Sequence, residues 1–142
     1  MPDFNAYAPG LHSGAQPTPD DLAHLRDIGV RSVINLRAPT EDSGYDEAAT
    51  AAHLGLDYAT LAVGGSDDLT AETVTRFDVL LDAGRARGDV LVHCASGNRV
   101  GALVALHAYA HGALSGDALA LGRAAGLAGL EPAVVDRLRA TP

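Results

Sequence analysis

Val92-His93-Cys94-Ala95-Ser96-Gly97-Asn98-Arg99-Val100-Gly101 holds the only cysteine of the chain and decides its fold. An apolar run, Asp89-Val-Leu-Val-His93, leads into it and reads as a buried strand. An alanine- and leucine-rich run from Val100 follows and reads as a helix ending near Gly112. A strand, a glycine-containing loop and a helix start in this order aim several backbone N–H groups at one spot. A thiol at that spot has its thiolate stabilised, and the thiolate is the nucleophilic form. Arg99 adds a planar, two-pronged donor for phosphate or a similar anion.

Working outward, strands alternate with helices. Phe4 to Gln16 is short and turn-rich, as expected of a strand or hairpin at a sheet edge. Thr18-Pro19-Asp20-Asp21 is a helix start: a capping threonine, proline at the first helical position, and carboxylates that suit the dipole. Gly29 ends that helix. Val30 to Leu36 reads as a buried strand, Asp46 to Leu54 as a helix closed by Gly55, and Leu56 to Val63 as a strand. Thr70 caps a helix to about Arg87, with Val74, Phe77, Leu80 and Leu81 on one face. Ser115 is the expected cap of a further helix, and Glu131 to Arg139 forms the last. The expectation is one α/β domain over residues 1–142, a mostly parallel sheet of four or five strands flanked by helices. Ligands of such folds bind beyond the carboxyl ends of the strands, where the Cys94 loop lies.

Composition narrows the function. The chain has 142 residues, a formal net charge of -8 and no lysine. An acidic balance argues against nucleic acid and anionic membrane surfaces as partners. Positive potential for an anion must then come locally, from Arg99 and backbone dipoles. A single cysteine rules out an internal disulfide and fits a reducing compartment. The first residues, Met1 to Tyr7, lack the regions of a secretory signal, and each apolar stretch is interrupted, so a cytoplasmic protein is expected. His107 and His111 lie four apart on one helix, but the segment between them carries no carboxylate and no third ligand is evident. A solvated helix face is the expectation there, with no metal and no cofactor. Oligomeric state is not legible.

The sequence HCASGNR resembles the active loop of cysteine-dependent phosphatases of the protein tyrosine phosphatase superfamily. Ser13-Gly-Ala-Gln-Pro17, the Thr18-capped helix and Arg31-Ser-Val-Ile-Asn-Leu-Arg37 are similar to the bacterial beta-lactamase hydrolase-like phosphatases, relatives of the dual-specificity enzymes. The likeness runs from about His12 to about His107. It implies a phosphoric monoester hydrolase, with Cys94 attacking phosphorus, and Arg99 and the amides from Ala95 through Ser96, Gly97 and Asn98 holding the transferred group. It implies that His93 orients the loop, and that a carboxylic acid from another loop protonates the leaving alcohol. Asp67 and Asp68, after the third strand, are the candidates for that acid. The expected partner is a phosphorylated small molecule or phosphoprotein.

Two positions depart from the usual phosphatase pattern. Four residues, not five, separate Cys94 from Arg99, and Val100 stands where many phosphatases have Ser or Thr. The shorter spacing is similar to that of the bacterial family, and also to the rhodanese loop that carries a persulfide sulfur. Two alternatives therefore stand beside the phosphatase reading: a sulfurtransferase with a persulfide on Cys94, and a non-catalytic oxyanion-binding module. Arg37 is expected to pair with Glu41, Asp42 or a neighbour. The loops from Arg37 to Tyr45 and from Gly64 to Leu69 are expected to frame the mouth of the site.

Overall fold

The computed structural model describes residues 4–140. The reading of the first residues as free of a secretory signal lies, for Met1–Asp3, outside the described residues.

A hairpin opens the chain. Strands β1 (Asn5–Ala8) and β2 (Leu11–Gly14) pair antiparallel across a turn in which Gly10 takes φ 74°. Helix α1 (Pro19–Asp27) follows, capped reciprocally: the Thr18 hydroxyl accepts from the Asp21 N–H and the Asp21 carboxylate accepts from the Thr18 N–H. Then come β3 (Val30–Asn35), α2 (Glu47–His53), β4 (Asp57–Thr60), α3 (Ala71–Arg85), β5 (Asp89–His93) and α4 (Asn98–Ala110). Helices α5 (Ser115–Ala125) and α6 (Glu131–Ala140) complete the described chain.

The sheet order is β1-β2-β5-β3-β4, with every pair parallel except the hairpin. Strand β5 is central, and its Val90, Leu91 and Val92 are fully buried because both sheet faces are covered. Alternation divides them. Val90 and Val92 join Ile34, Phe77, Leu81, Leu103 and Val134 in one cluster; Leu91 joins Leu22, Leu25, Val33 and Ala51 in the other. Helices α1 and α2 thus cover one face, and α3 to α6 the other.

Two expectations are corrected. The fourth strand is shorter than Leu56 to Val63, although the chain beyond it still donates from Leu61 and Val63 to the Asn35 and Leu36 carbonyls. Ser115 is not the cap of α5. Leu114 holds the extended cap backbone, at φ -63° and ψ 150°, and Ser115 is already helical, so its hydroxyl is past the position where it could cap. No helix among the described residues is long and apolar enough to cross a membrane.

Candidate active site

The carboxyl ends of three parallel strands meet at the cysteine. His93 lies level with Gly14 of β2 and Asn35 of β3 in the sheet register. The Cys94 N–H donates to the Gly14 carbonyl, and the Leu36 N–H to the His93 carbonyl, so the ladder is satisfied up to the residue where the chain turns off. Gly97 makes that turn at φ 94°, a left-handed conformation that glycine adopts without steric cost, and α4 begins at the next residue.

This geometry points the Gly97 N–H at the Cys94 sulfur, 3.0 Å away. The first turn of α4 stands behind it, contributing the positive end of its dipole. The Arg99 guanidinium lies beside the same sulfur. Its pKa is raised, first by its hydrogen bonds to Glu41 and also by its interaction with the Cys94 side chain. Cys94 itself is fully buried beneath the loop, while Ala95 and Ser96 are exposed at the loop's crown.

Each flanking residue is held in place. His93 is fully buried, and its Nε2 sits 2.5 Å from Glu47 Oε2 at the start of α2. The second Glu47 oxygen accepts from Gln16 Nε2 at 2.7 Å. Asn98 turns away from the cradle. Its Oδ1 accepts from the Ala128 and Leu130 N–H groups, at 2.9 and 3.2 Å, tying the α5–α6 connection to the start of α4. That connection packs tightly: a Cβ built on Gly126 would lie 2.7 Å from the Gly97 carbonyl oxygen.

Arg99 is engaged by the loop after β3. Glu41 takes both of its terminal nitrogens, at 2.8 and 2.9 Å, and the Val63 carbonyl takes Nη1 at 2.9 Å. The hydrogen bond from Arg99, with the Ala38 N–H and Arg37 adding to it, lowers the Glu41 pKa to about 2. Arg37 pairs with Glu41 and donates to the Asp42 carbonyl, as its sequence position suggests. Above Arg99 lies an open cleft of about 540 Å³, bounded by Thr40 and Glu41 on one side, Gly64 and Gly65 on the other, and Asn98 and Leu130. The two loops expected to frame the mouth do frame it.

The structure thus brings His93, Cys94, Ala95, Ser96, Gly97, Asn98 and Arg99 into one loop. Asp67 and Asp68 are exposed on a short 3₁₀ turn, Ser66–Asp68, in the neighbouring loop. Asp68 Oδ2 accepts from the Gly64 N–H at 2.6 Å, and its side of the turn borders a separate cleft with Thr60, Leu61 and Ala62. The carboxylate that does face the Arg99 cleft is Glu41, which sequence reasoning gave only to Arg37. Glu47 was missed altogether. Its one sequence-level signal is an acid at a helix start, which every N-terminus invites.

Known proteins are similar to this chain in sequence and in fold. The profile of the family described as "PTP-NADK: DSP-PTPase phosphatase fused to NAD+ Kinase" matches residues 8–124. Two beta-lactamase hydrolase-like proteins of Xylella fastidiosa, from strains Temecula1 and 9a5c, are each 34% identical over 121 residues, 82% of this chain. The chain spans about a quarter of the length of these relatives, 27%. A candidate phosphatase of Neisseria meningitidis z2491 has the same fold at 20% identity, with 97% of each chain covered and a TM-score of 0.79. P. aeruginosa TpbA, solved in complex with pTyr, aligns over 93% of this chain and 80% of its own at 22% identity, with a TM-score of 0.70. A family profile covering most of the chain, with the HCASGNR loop inside the matched span, decides the assignment: the chain belongs to the dual-specificity (DSP-PTPase) family of protein tyrosine phosphatase-like proteins.

Proposed function

We propose that this domain is a cysteine-dependent phosphoric monoester hydrolase. The observation that carries the reading is the Gly97 N–H aimed at the Cys94 sulfur from the start of α4, with the Arg99 guanidinium beside it. These donors favour the thiolate and offer partial positive charge where a transferring phosphoryl group places its oxygens. The Cys94 thiolate attacks phosphorus, the P–O bond to the leaving alcohol breaks, and a phosphocysteine forms. Water then attacks that phosphorus, releasing phosphate and regenerating the thiolate.

Arg99 would exchange Glu41 for the phosphoryl oxygens as substrate arrives. Asp67, exposed on the turn two residues after the cleft-lining Gly65, is the residue we assign to protonate the leaving alcohol. Asp68 is assigned to hold the turn through Gly64. Asn98 acts as a brace for the loop, and the peptide N–H groups from Ala95 to Arg99 supply the contacts to substrate. The phosphotyrosine complex of the structural neighbour TpbA supports a phosphorylated ligand as substrate class. A cytoplasmic setting fits the lone free cysteine.

The test is turnover of p-nitrophenyl phosphate by the reduced protein. Vanadate should inhibit, Cys94→Ser should abolish turnover, and rapid acid quenching should trap one phosphoryl group on Cys94. A reduced protein with no Cys94-dependent turnover on a broad phosphoester panel overturns the reading.

One observation favours a second reading. Only four residues close the ring from Cys94 to Arg99, and a ring that small has few N–H groups for three phosphoryl oxygens. The terminal sulfur of a persulfide is one atom with one charge. In that reading Cys94 thiolate takes the outer sulfur of thiosulfate, releasing sulfite, and cyanide takes it on as thiocyanate. A mass gain of one sulfur atom on Cys94, with cyanide-dependent thiocyanate release, would place this chemistry above phosphoryl transfer.

A further inference from the structure

Away from the Cys94 loop, helix α4 carries a second cluster that the chemistry above does not use. His107 and His111 lie one turn apart, and α3 brings Asp78 between them. Asp78 Oδ1 is 2.7 Å from His107 Nε2 and 2.9 Å from His111 Nε2. The donor atoms of all three residues lie within 4.8 Å of one another. The imidazole centroids are 4.4 Å apart with their planes tilted by 45°.

We propose that Asp78, His107 and His111 form a binding site for one borderline divalent transition-metal ion, of which Zn²⁺ is the representative. Two imidazole nitrogens and one carboxylate oxygen are a ligand set that such ions take, and one that hard ions such as Mg²⁺ and Ca²⁺ do not favour. A tetrahedral Zn²⁺ holds its ligands at about 2.0–2.2 Å, hence about 3.3 Å from one another. The Asp78 oxygen, 2.7 and 2.9 Å from the two ring nitrogens, needs to part from each by only about half an ångström to admit it. The ion takes the Nε2 lone pairs, so the ring N–H donors that now face Asp78 move to Nδ1 or leave as protons.

Exposure and packing suit this role. The side chains are 32%, 20% and 56% exposed for Asp78, His107 and His111, which leaves an outer face for a water ligand. The inner ring is held: Phe77 meets the His107 imidazole edge-on at 5.4 Å and 81°. His107 lies eight positions beyond Arg99 on the helix, about 12 Å along the axis, so the site is distinct from the cysteine cradle. Its effect is a clasp between α3 and α4, the helix whose first turn builds that cradle.

The experiment uses tag-free, EDTA-stripped full chain carrying Cys94→Ser, so that no thiol competes for metal. Co²⁺ is titrated in and followed by its visible d–d absorption, with Zn²⁺ as competitor and the thermal midpoint read in parallel. One equivalent should bind, Zn²⁺ should displace it, and the midpoint should rise with metal concentration. His111→Ala removes a half-exposed ligand that the fold does not need. It should keep the circular dichroism of the parent and weaken metal binding by more than about tenfold. Asp78→Asn should do the same. Absence of a Co²⁺ band in the Cys94→Ser protein overturns the proposal, as does full affinity retained in His111→Ala and Asp78→Asn. None of these readouts depends on phosphatase turnover.

Discussion

Glu41 grips Arg99 through two nearly equal hydrogen bonds, 2.8 Å to Nη1 and 2.9 Å to Nη2, across 58 residues of sequence. A guanidinium offers this fork to a carboxylate and to a phosphate alike. The carboxylate therefore occupies the donors that a tetrahedral oxyanion needs, and binding of such an anion is an exchange of partners at Arg99.

Removing the competing charge should ease that exchange. Glu41→Gln should tighten inhibition by inorganic phosphate or vanadate about fivefold, the equivalent of ~1 kcal/mol, and lower KM for a phosphoester in the same proportion. Inhibition constants for both proteins at neutral pH check this. Weaker anion binding in Glu41→Gln would show instead that the carboxylate positions Arg99 for its substrate.

The same pair sets a pH dependence. The Glu41 carboxyl is lowered from 4.5 to about 2, chiefly by its hydrogen bond to Arg99. A depressed folded-state pKa stabilises the fold above the unfolded value, and that contribution is lost as pH falls through the folded one. For a partly exposed pair it amounts to about 1 kcal/mol at neutral pH. The thermal-midpoint difference between the parent and Glu41→Gln should therefore be constant above about pH 5, shrink below it and vanish near pH 2. A difference that grows on acidification would contradict the pairing.

His93 and Glu47 give a sharper energetic test. Both are buried, and the 2.5 Å contact between them is backed by Gln16. Glu47→Ala strands a buried imidazole and should cost about 3 kcal/mol in urea unfolding. Glu47→Gln retains a partner and should cost about 1 kcal/mol. Because His93 directly precedes Cys94, alkylation of Cys94 by iodoacetamide should change rate in both variants. An unchanged rate would confine Glu47 to stability alone.

The contrast between what the sequence disclosed and what it hid follows contact range. The cradle is contiguous: an apolar strand, Gly97 and an apolar helix announce it within about a dozen residues, because turn chemistry and periodicity are local. The capping box at Thr18 and Asp21 is legible for the same reason. Glu41 and Glu47 are not. Nothing local separates Glu41 from Asp42, and only the parallel order β5-β3 swings the loop after β3 over Arg99. Asp78 was hidden likewise, since α3 and α4 are brought side by side by the crossover through β5. The Asn98 side chain is hidden for the same reason: its carboxamide oxygen is taken by Ala128 and Leu130, 30 and 32 residues further along the chain.

Close approach behind the loop supplies the final prediction. A Cβ on Gly101 would lie 2.1 Å from the Leu127 nitrogen, 2.5 Å from its Cα and 2.6 Å from the Gly122 carbonyl oxygen. All three are backbone atoms, so no side chain can rotate aside. Helix α4 can accept the methyl only by moving away from the connection that Asn98 holds. Gly101→Ala should cost about 3 kcal/mol or more, despite the better helix propensity of alanine, and should lower anion affinity by shifting the first turn of α4. Gly116, in the first turn of α5, is open: a Cβ placed there would meet nothing within 4 Å. There Gly116→Ala should stabilise by about 0.5 kcal/mol through propensity alone. Urea midpoints for the two variants measure the difference, and equal effects would remove the tight α4–α5 contact from the explanation.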